Sequence, residues 1–336
     1  MLRKRICSGV LALAGTAASI AGAPAPAPAL LVVGLPANAA PSLEHALQAW
    51  CARLTADSQG QLACRPGFLR LASGSGLPEA QSGQVDLAVI QHSHEPQRFA
   101  ASGIGDQPFL GRFAETTSVA YQRLYERSPA MAKEHRGTKV LAMFVAPPGL
   151  LVTPKARIRH LEELARAATP SGEPTAASAS VQLETAIGNL RTPGAASRSQ
   201  WALARLSDPP QPVEQRSVLM VPGGIFNTSY ALAVNDARWK SLGAAQQAVL
   251  ASRTAVDTAA ALGRDLDAAE WKASGKARIA GTAFFAPQPD LEAQFKRALH
   301  PGEMRWSREA AHAGLREPLA MLAGLRADIL KQELKE

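Results

Sequence analysis

His92-Ser93-His94-Glu95 places two histidines one residue apart, the spacing in this chain that comes nearest to a metal-ligand pattern. Residues two apart on a strand face opposite ways, although a turn can bring them to one side. A zinc site needs a third and a fourth ligand, and no other histidine pair or cysteine cluster offers them. A periplasmic zinc-binding protein is therefore an alternative reading only, and no cofactor is expected. Catalytic signals are weaker still. Ser73-Gly74-Ser75-Gly76 lacks the G-x-S-x-G elbow and the apolar helix that follows it. No G-x-G-x-x-G follows the first strand. The chain reads as a binding protein and not an enzyme. Cys51 and Cys64 fall on a helix and on the strand after it, and a disulfide between them is one possibility in an oxidising compartment. The absence of C-x-x-C argues against thiol exchange and zinc knuckles.

These residues need elements to hold them. Ala29 to Val33 reads as a strand, and Leu43, Leu47, Trp50 and Leu54 recur at helical spacing after Ser42, a candidate N-cap. Leu62 to Cys64 resumes a strand, a short helix covers Pro78 to Ser82, and Gly83 to Ile90 is a turn feeding a buried strand. Alternating strands and helices within sixty residues predict a βαβ system with a parallel sheet. Ligands of such sheets bind beyond the carboxyl ends of the strands, which puts His92 and His94 near a candidate site. Strands are expected at Lys139 to Val145 and Leu150 to Val152, then a helix from Ile158. The signal weakens from there to about Gln215. Ser217 to Leu242 reads as strand, Gly223-Gly224 break, strand and helix start, either a crossing between two lobes or a plain hairpin. A long helix follows to about Lys272, with Gly263 its weak point.

The chain has 336 residues, 46% hydrophobic and 19% charged, which is a globular composition long enough for two domains. Arg3-Lys4-Arg5, the apolar run Ile6 to Ile20 and the Ala-Pro repeat have the form of an export leader. That run falls short of the ~20 strongly apolar residues of a membrane span. Without the leader the formal charge drops from +8 to +5. Its basic residues are scattered among acids, so nucleic acid is not an expected partner. The expected location is the periplasm.

In this order, several stretches resemble the extracytoplasmic solute-binding protein family of tripartite ATP-independent periplasmic (TRAP) transporters. They are Gly83-Gln84-Val85-Asp86-Leu87-Ala88-Val89-Ile90, Asp106-Gln107-Pro108-Phe109-Leu110, Ile158 to Leu164, Phe226-Asn227-Thr228-Ser229-Tyr230, Asn235 and Ala237 to Leu242. The resemblance spans about residues 29 to 300. It implies an α/β, two-lobed, type II-like solute-binding fold with a long helix bracing both lobes. The expected divisions are a leader over 1–28, a first lobe over 29–150 and a diverged second lobe over 151–222. A crossover strand, bracing helix and return to both lobes follow over 223–300, and a helical tail over 301–336.

The implied function is capture of a small organic solute, most often a carboxylate, and delivery to a TRAP-type membrane permease. The alternatives are a ligand-presenting partner of a sensor and a diverged homologue with weak or lost binding. The family commonly clamps its carboxylate with a buried arginine. Asn189-Leu190-Arg191-Thr192-Pro193-Gly194 matches that pattern after an insertion, which makes Arg191 the candidate clamp; a second expected arginine is replaced by Leu150. A smaller or less charged solute is thus a reading alongside a carboxylate. Phe109, Phe226, Asn227, Tyr230, His92 and His94 complete the candidate ligand-binding set. Monomer and dimer are both open.

Overall fold

The computed structural model describes residues 28–72, 74–153, 158–166, 183–185, 201–208 and 217–335. The apolar run after Pro28 serves two sheets. β1 (Ala29–Leu31) and β2 (Val33–Pro36) are separated at Val32, whose N–H donates to the Asp86 carboxylate at 2.8 Å. α1 (Pro41–Asp57) begins at a proline, which needs no N–H there, and buries Leu43, Leu47, Trp50 and Leu54 on one face. Its N-cap is Ala40, so Ser42 belongs to the first turn and not to the cap. β3 (Leu62–Cys64), β4 (Leu69–Leu71), α2 (Leu77–Ser82) and β5 (Leu87–Gln91) follow.

Cys51 on α1 and Cys64 on β3 are joined in a disulfide, with Cα atoms 5.7 Å apart. β1 and β3 form only a two-stranded parallel pair, so this bond ties a small unit to α1. Closing a loop of this length contributes about 3 kcal/mol, chiefly by restricting the unfolded chain. Reduction, or Cys51→Ser with Cys64→Ser, is expected to lower the unfolding free energy by that order. A denaturant midpoint unaffected by reductant would contradict it.

The first lobe is completed by α3 (Ala114–Glu126), α4 (Pro129–Glu134) and β6 (Thr138–Val145). β7 (Leu150–Thr153), α5 (Glu162–Arg166), β8 (Ala202–Ala204) and β9 (Ser217–Leu219) belong to the second. β10 (Ser229–Asn235) then returns to the first sheet, whose order is β4-β2-β5-β10-β6. β10 runs antiparallel to both its neighbours, so the sheet is mixed where the βαβ pattern predicts a parallel one. β9 and β10 lie in different sheets, which excludes the plain hairpin and makes the double glycine a lobe crossing.

The expected single helix after Asn235 is three: α6 (Asp236–Ser241), α7 (Ala244–Ser252) and α8 (Ala255–Ile279). Thr254 caps α8 in a reciprocal box with Asp257, which starts a new helix there. Gly263 does not weaken α8. A Cβ there would stand 2.6 Å from the Ala114 carbonyl oxygen, so the glycine lets α8 and α3 pack backbone to backbone.

β11 (Ala283–Phe285) closes the second sheet, in the order β11-β9-β7-β8. α9 (Pro289–His312) buries Leu291, Phe295 and Leu299 in the second core, then Trp306 and Ala310 in the first. It runs unbroken past residue 300, where the sequence reading places a boundary. α10 (Pro318–Glu333) lies on the first lobe. Among the described residues, two strand links and two helices thus join the lobes.

Candidate functional site

The two strand links stay paired across the lobe junction. Ala146 N–H donates to Thr228 O at 2.9 Å, Gly149 N–H to Phe226 O at 2.9 Å, and Ile225 N–H to Gly149 O at 3.1 Å. Paired main chain can twist but not separate, which suits a hinge.

Arg205 leaves the end of β8 into this junction and is 6% exposed. Its Nε donates to Pro147 O at 2.6 Å, Nη2 to Thr228 Oγ1 at 2.7 Å and Nη1 to Asp208 Oδ2 at 3.3 Å. The guanidinium stacks on Phe226, 4.9 Å from the ring centroid. Asp208 in turn accepts from Ser42 Oγ at 3.4 Å, linking the second lobe to the first turn of α1. A full positive charge is thereby buried where the lobes meet, compensated by Asp208 and oriented by neutral acceptors.

Phe226 also walls a cavity of about 300 Å³ with contributions from both lobes. Asp106, Gln107 and Pro108 come from the first lobe, while Ile225 and Phe226 come from the crossing link. Leu299, Glu303 and Trp306 come from α9. Trp306 is fixed by its Nε1–H to Ala100 O at 2.9 Å. Four carboxylates line the cavity: Asp106 accepts from Ser229 N–H at 2.6 Å, Glu303 pairs with Arg326 at 2.9 Å, Glu184 pairs with Arg305 at 2.9 Å, and Glu309 completes the set.

No protein-family model matches the chain. Among solved structures, a TRAP periplasmic solute-binding protein from Bordetella bronchiseptica with bound (R)- and (S)-mandelate superposes with a TM-score of 0.69. It is 19% identical, and the match covers 91% of this chain and 100% of that one. A TRAP solute-binding protein from Rhodoferax ferrireducens with copurified benzoate gives 0.70 at 20% identity, covering 92% and 100%. The match covers nearly the whole of each chain. The fold is that of the TRAP periplasmic solute-binding proteins. A marine-metagenome TRAP protein specific for aromatic acid ligands, with 3-hydroxybenzoate, gives 0.70 at 20% identity, covering 91% and 99%. In sequence, the chain is 24% identical over 335 residues to the outer membrane transporter protein TsaT of Comamonas testosteroni, covering 93% of this chain and 94% of that protein.

Within this TRAP fold the sequence-predicted residues separate into groups. Phe226 lines the cavity. Asn227 is buried beside it, its Nδ2 donating to Gln107 O at 2.8 Å, so it locks the crossing link to the first lobe. Phe109 contributes through its backbone, held at φ +58° with its N–H on Gly224 O at 3.0 Å. Its half-buried ring packs on the second core. Gly223 permits this approach, since a Cβ there would stand 2.7 Å from Phe109 Cα. Tyr230 is core, stacked on Phe144 at 5.2 Å, and burial pushes its hydroxyl pKa up.

His94 is half-buried, with Nδ1 bonded to Gly74 O and Nε2 facing the Asn38 amide at 3.4 Å. Burial holds its pKa below the usual range. His92 does not reach the cavity: its ring is fully buried between Ser229, Tyr121 and His135. The short turn His92–His94 after β5 carries the ring into the core. Among the described residues no group of three or more His, Cys, Asp or Glu could hold a metal ion. Arg191 lies outside the described residues.

Arg205, Asp208 and Gly149 were missed in the sequence. Arg205 ends the short alternation Trp201-Ala202-Leu203-Ala204, a pattern that a solvated arginine after any strand would also give.

Proposed function

We propose that the protein captures a small organic acid between its two lobes in the periplasm and hands it to a TRAP-type membrane permease. The observation that carries this reading is the buried cation Arg205 at the lobe junction, stacked on Phe226, whose ring also lines the cavity. The Arg205 charge attracts a carboxylate toward the junction, and the Phe226 and Trp306 side chains in the cavity wall suit an aromatic or other apolar body. Mandelate, benzoate and 3-hydroxybenzoate in the similar structures point the same way. Arg191 is proposed as a second cation for the same carboxylate. The solute bridges the lobes and shifts the hinge population toward closure, with no bond made or broken.

The test is a thermal-shift and calorimetric screen with those three acids, alongside native mass spectrometry of the gently purified protein. A ligand at a hundred times its Kd stabilises by about 2.7 kcal/mol, which a hundredfold loss of affinity in Arg205→Ala should lower to about 0.4 kcal/mol at the same concentration. No shift with any organic acid, and no acid carried through purification, would overturn the reading.

A further inference from the structure

α8 holds the residues that follow Arg205. Glu270 is buried, and its two carboxylate oxygens accept from Leu206 N–H and Ser207 N–H, each at 2.9 Å. One turn earlier, Asp267 accepts from Ala114 N–H at 2.8 Å and Glu115 N–H at 2.9 Å, the first two residues of α3, whose N-cap Phe113 supplies no side-chain cap. Neighbouring carboxylates on one helix therefore grip the main chain of opposite lobes. Buried N–H groups without acceptors are costly, and bonds to an ionised carboxylate are about twice as strong as neutral ones.

We propose that Glu270 is a positioning residue for Arg205, setting its guanidinium against the lobe junction from the bracing helix. This deepens, and rests on, the solute-binding reading for its functional consequence. β8 ends at Ala204, so no sheet bond holds the chain beyond it. Without Glu270, Leu206 and Ser207 lose their acceptors, and Arg205 is left to find its three partners from a looser anchor. Asp267, fixed to α3 in the first lobe, registers that anchor against the other wall of the cleft.

Glu270→Gln tests this directly. The amide keeps the shape but turns one acceptor into a donor facing a backbone N–H. The first readout needs no solute. The Arg205 Nε–H is buried on Pro147 O and should give a protected NMR signal. Its hydrogen exchange is expected to accelerate about tenfold in Glu270→Gln. Thr254→Ala, which removes the cap of α8 and lowers stability without touching this loop, should leave it unchanged. If Glu270→Gln does not fold, Glu270→Asp, which keeps the charge but withdraws it by one methylene, is read in the same way.

The second readout is affinity for whichever organic acid binds the wild type. Glu270→Gln should weaken it about tenfold, and should have no further effect in an Arg205→Ala background. Unchanged Arg205 exchange in the Glu270 variant, or equal acceleration in Thr254→Ala, overturns the positioning role. A further loss of affinity in the Arg205→Ala background would show that Glu270 acts by another route, and also overturns it. A wild type that binds no acid defeats the solute reading instead, and the exchange measurement still decides the role of Glu270.

Discussion

Acidification from pH 7 to pH 4 is expected to cost the folded protein about 3 kcal/mol through His135 alone, with a further loss from His92. The geometry assigns the protons. His135 Nδ1 lies 2.9 Å from Met131 O and must donate to it, which leaves Nε2 as the acceptor in a neutral ring. His92 Nε2 lies 3.0 Å from that nitrogen and therefore donates. His92 Nδ1 then accepts from Ser229 Oγ at 2.9 Å, while Tyr121 OH donates to Ser102 O at 2.7 Å. The contact between the two Nε2 atoms is satisfied only while His135 is neutral, whereas a proton on His92 Nδ1 would reverse the Ser229 hydroxyl. An added proton on His135 sets two donors against each other.

Burial, with a smaller contribution from Arg98, lowers the His135 pKa from 6.5 to about 4; burial, then the His135 charge, pushes His92 well below 6.5. Both folded values lie below the unfolded one, so their stabilisation is complete above pH 6.5 and is lost as pH falls toward 4. Asp267 works in the opposite sense. Burial raises its pKa from 3.8 to about 6, and protonation between those values favours the folded state. Glu134, also raised by burial, adds to that opposing effect. Between pH 7 and pH 5 His135 loses about 1.8 kcal/mol against about 1.3 kcal/mol gained by Asp267, and His92 adds to the loss while Glu134 opposes it. Urea unfolding at pH 7, 6 and 5 should show a falling midpoint, and imidazole NMR should show both rings neutral at pH 6. A flat stability profile, or either ring titrating near 6.5 in the folded protein, would reject the assignment.

How much of this was legible in the sequence depends on how local the cause is. The α1 face of Leu43, Leu47, Trp50 and Leu54 and the buried β5 run follow from period alone. The start of α8 was also legible, as Thr254-Ala255-Val256-Asp257 has a capping-box form; the hydrophobic pattern running through it hid the break. Period cannot name a partner strand, so the antiparallel entry of β10 between β5 and β6 was out of reach. His92 shows the same limit at a side chain. Its partners Ser229 and His135 are 137 and 43 positions away, and only they make an inward ring cheap to bury. Arg205 depends on Pro147, Thr228 and Glu270, residues of other elements brought together by the lobe crossing. The strand, glycine break and strand of Ser217 to Leu242 offered the crossing as one of two readings; family resemblance directed attention to Arg191 because a motif, unlike a junction, can be seen in one dimension.

Gly149→Ala is expected to damage both stability and solute binding through one contact. A Cβ on Gly149 would fall 1.9, 2.2 and 2.5 Å from three atoms of the Phe226 ring. The backbone cannot yield, because Gly149 N–H and O are both bonded to the opposite link, to Phe226 O and from Ile225 N–H. The ring must move instead. It packs against the Arg205 guanidinium at 4.9 Å and also lines the cavity of about 300 Å³. Overpacking of this kind costs about 1–3 kcal/mol, and losing the stacked cation adds about 0.5–1 kcal/mol. A ring swung into the cavity also occupies the volume assigned to the solute, so organic-acid affinity should fall more than about tenfold. Phe226→Ala makes the argument testable as a cycle. With the ring removed the new methyl has room, so Gly149→Ala should cost little in that background, and the two substitutions should be far from additive. Additive losses in unfolding free energy would mean that Gly149 matters for its backbone and not for the ring it accommodates.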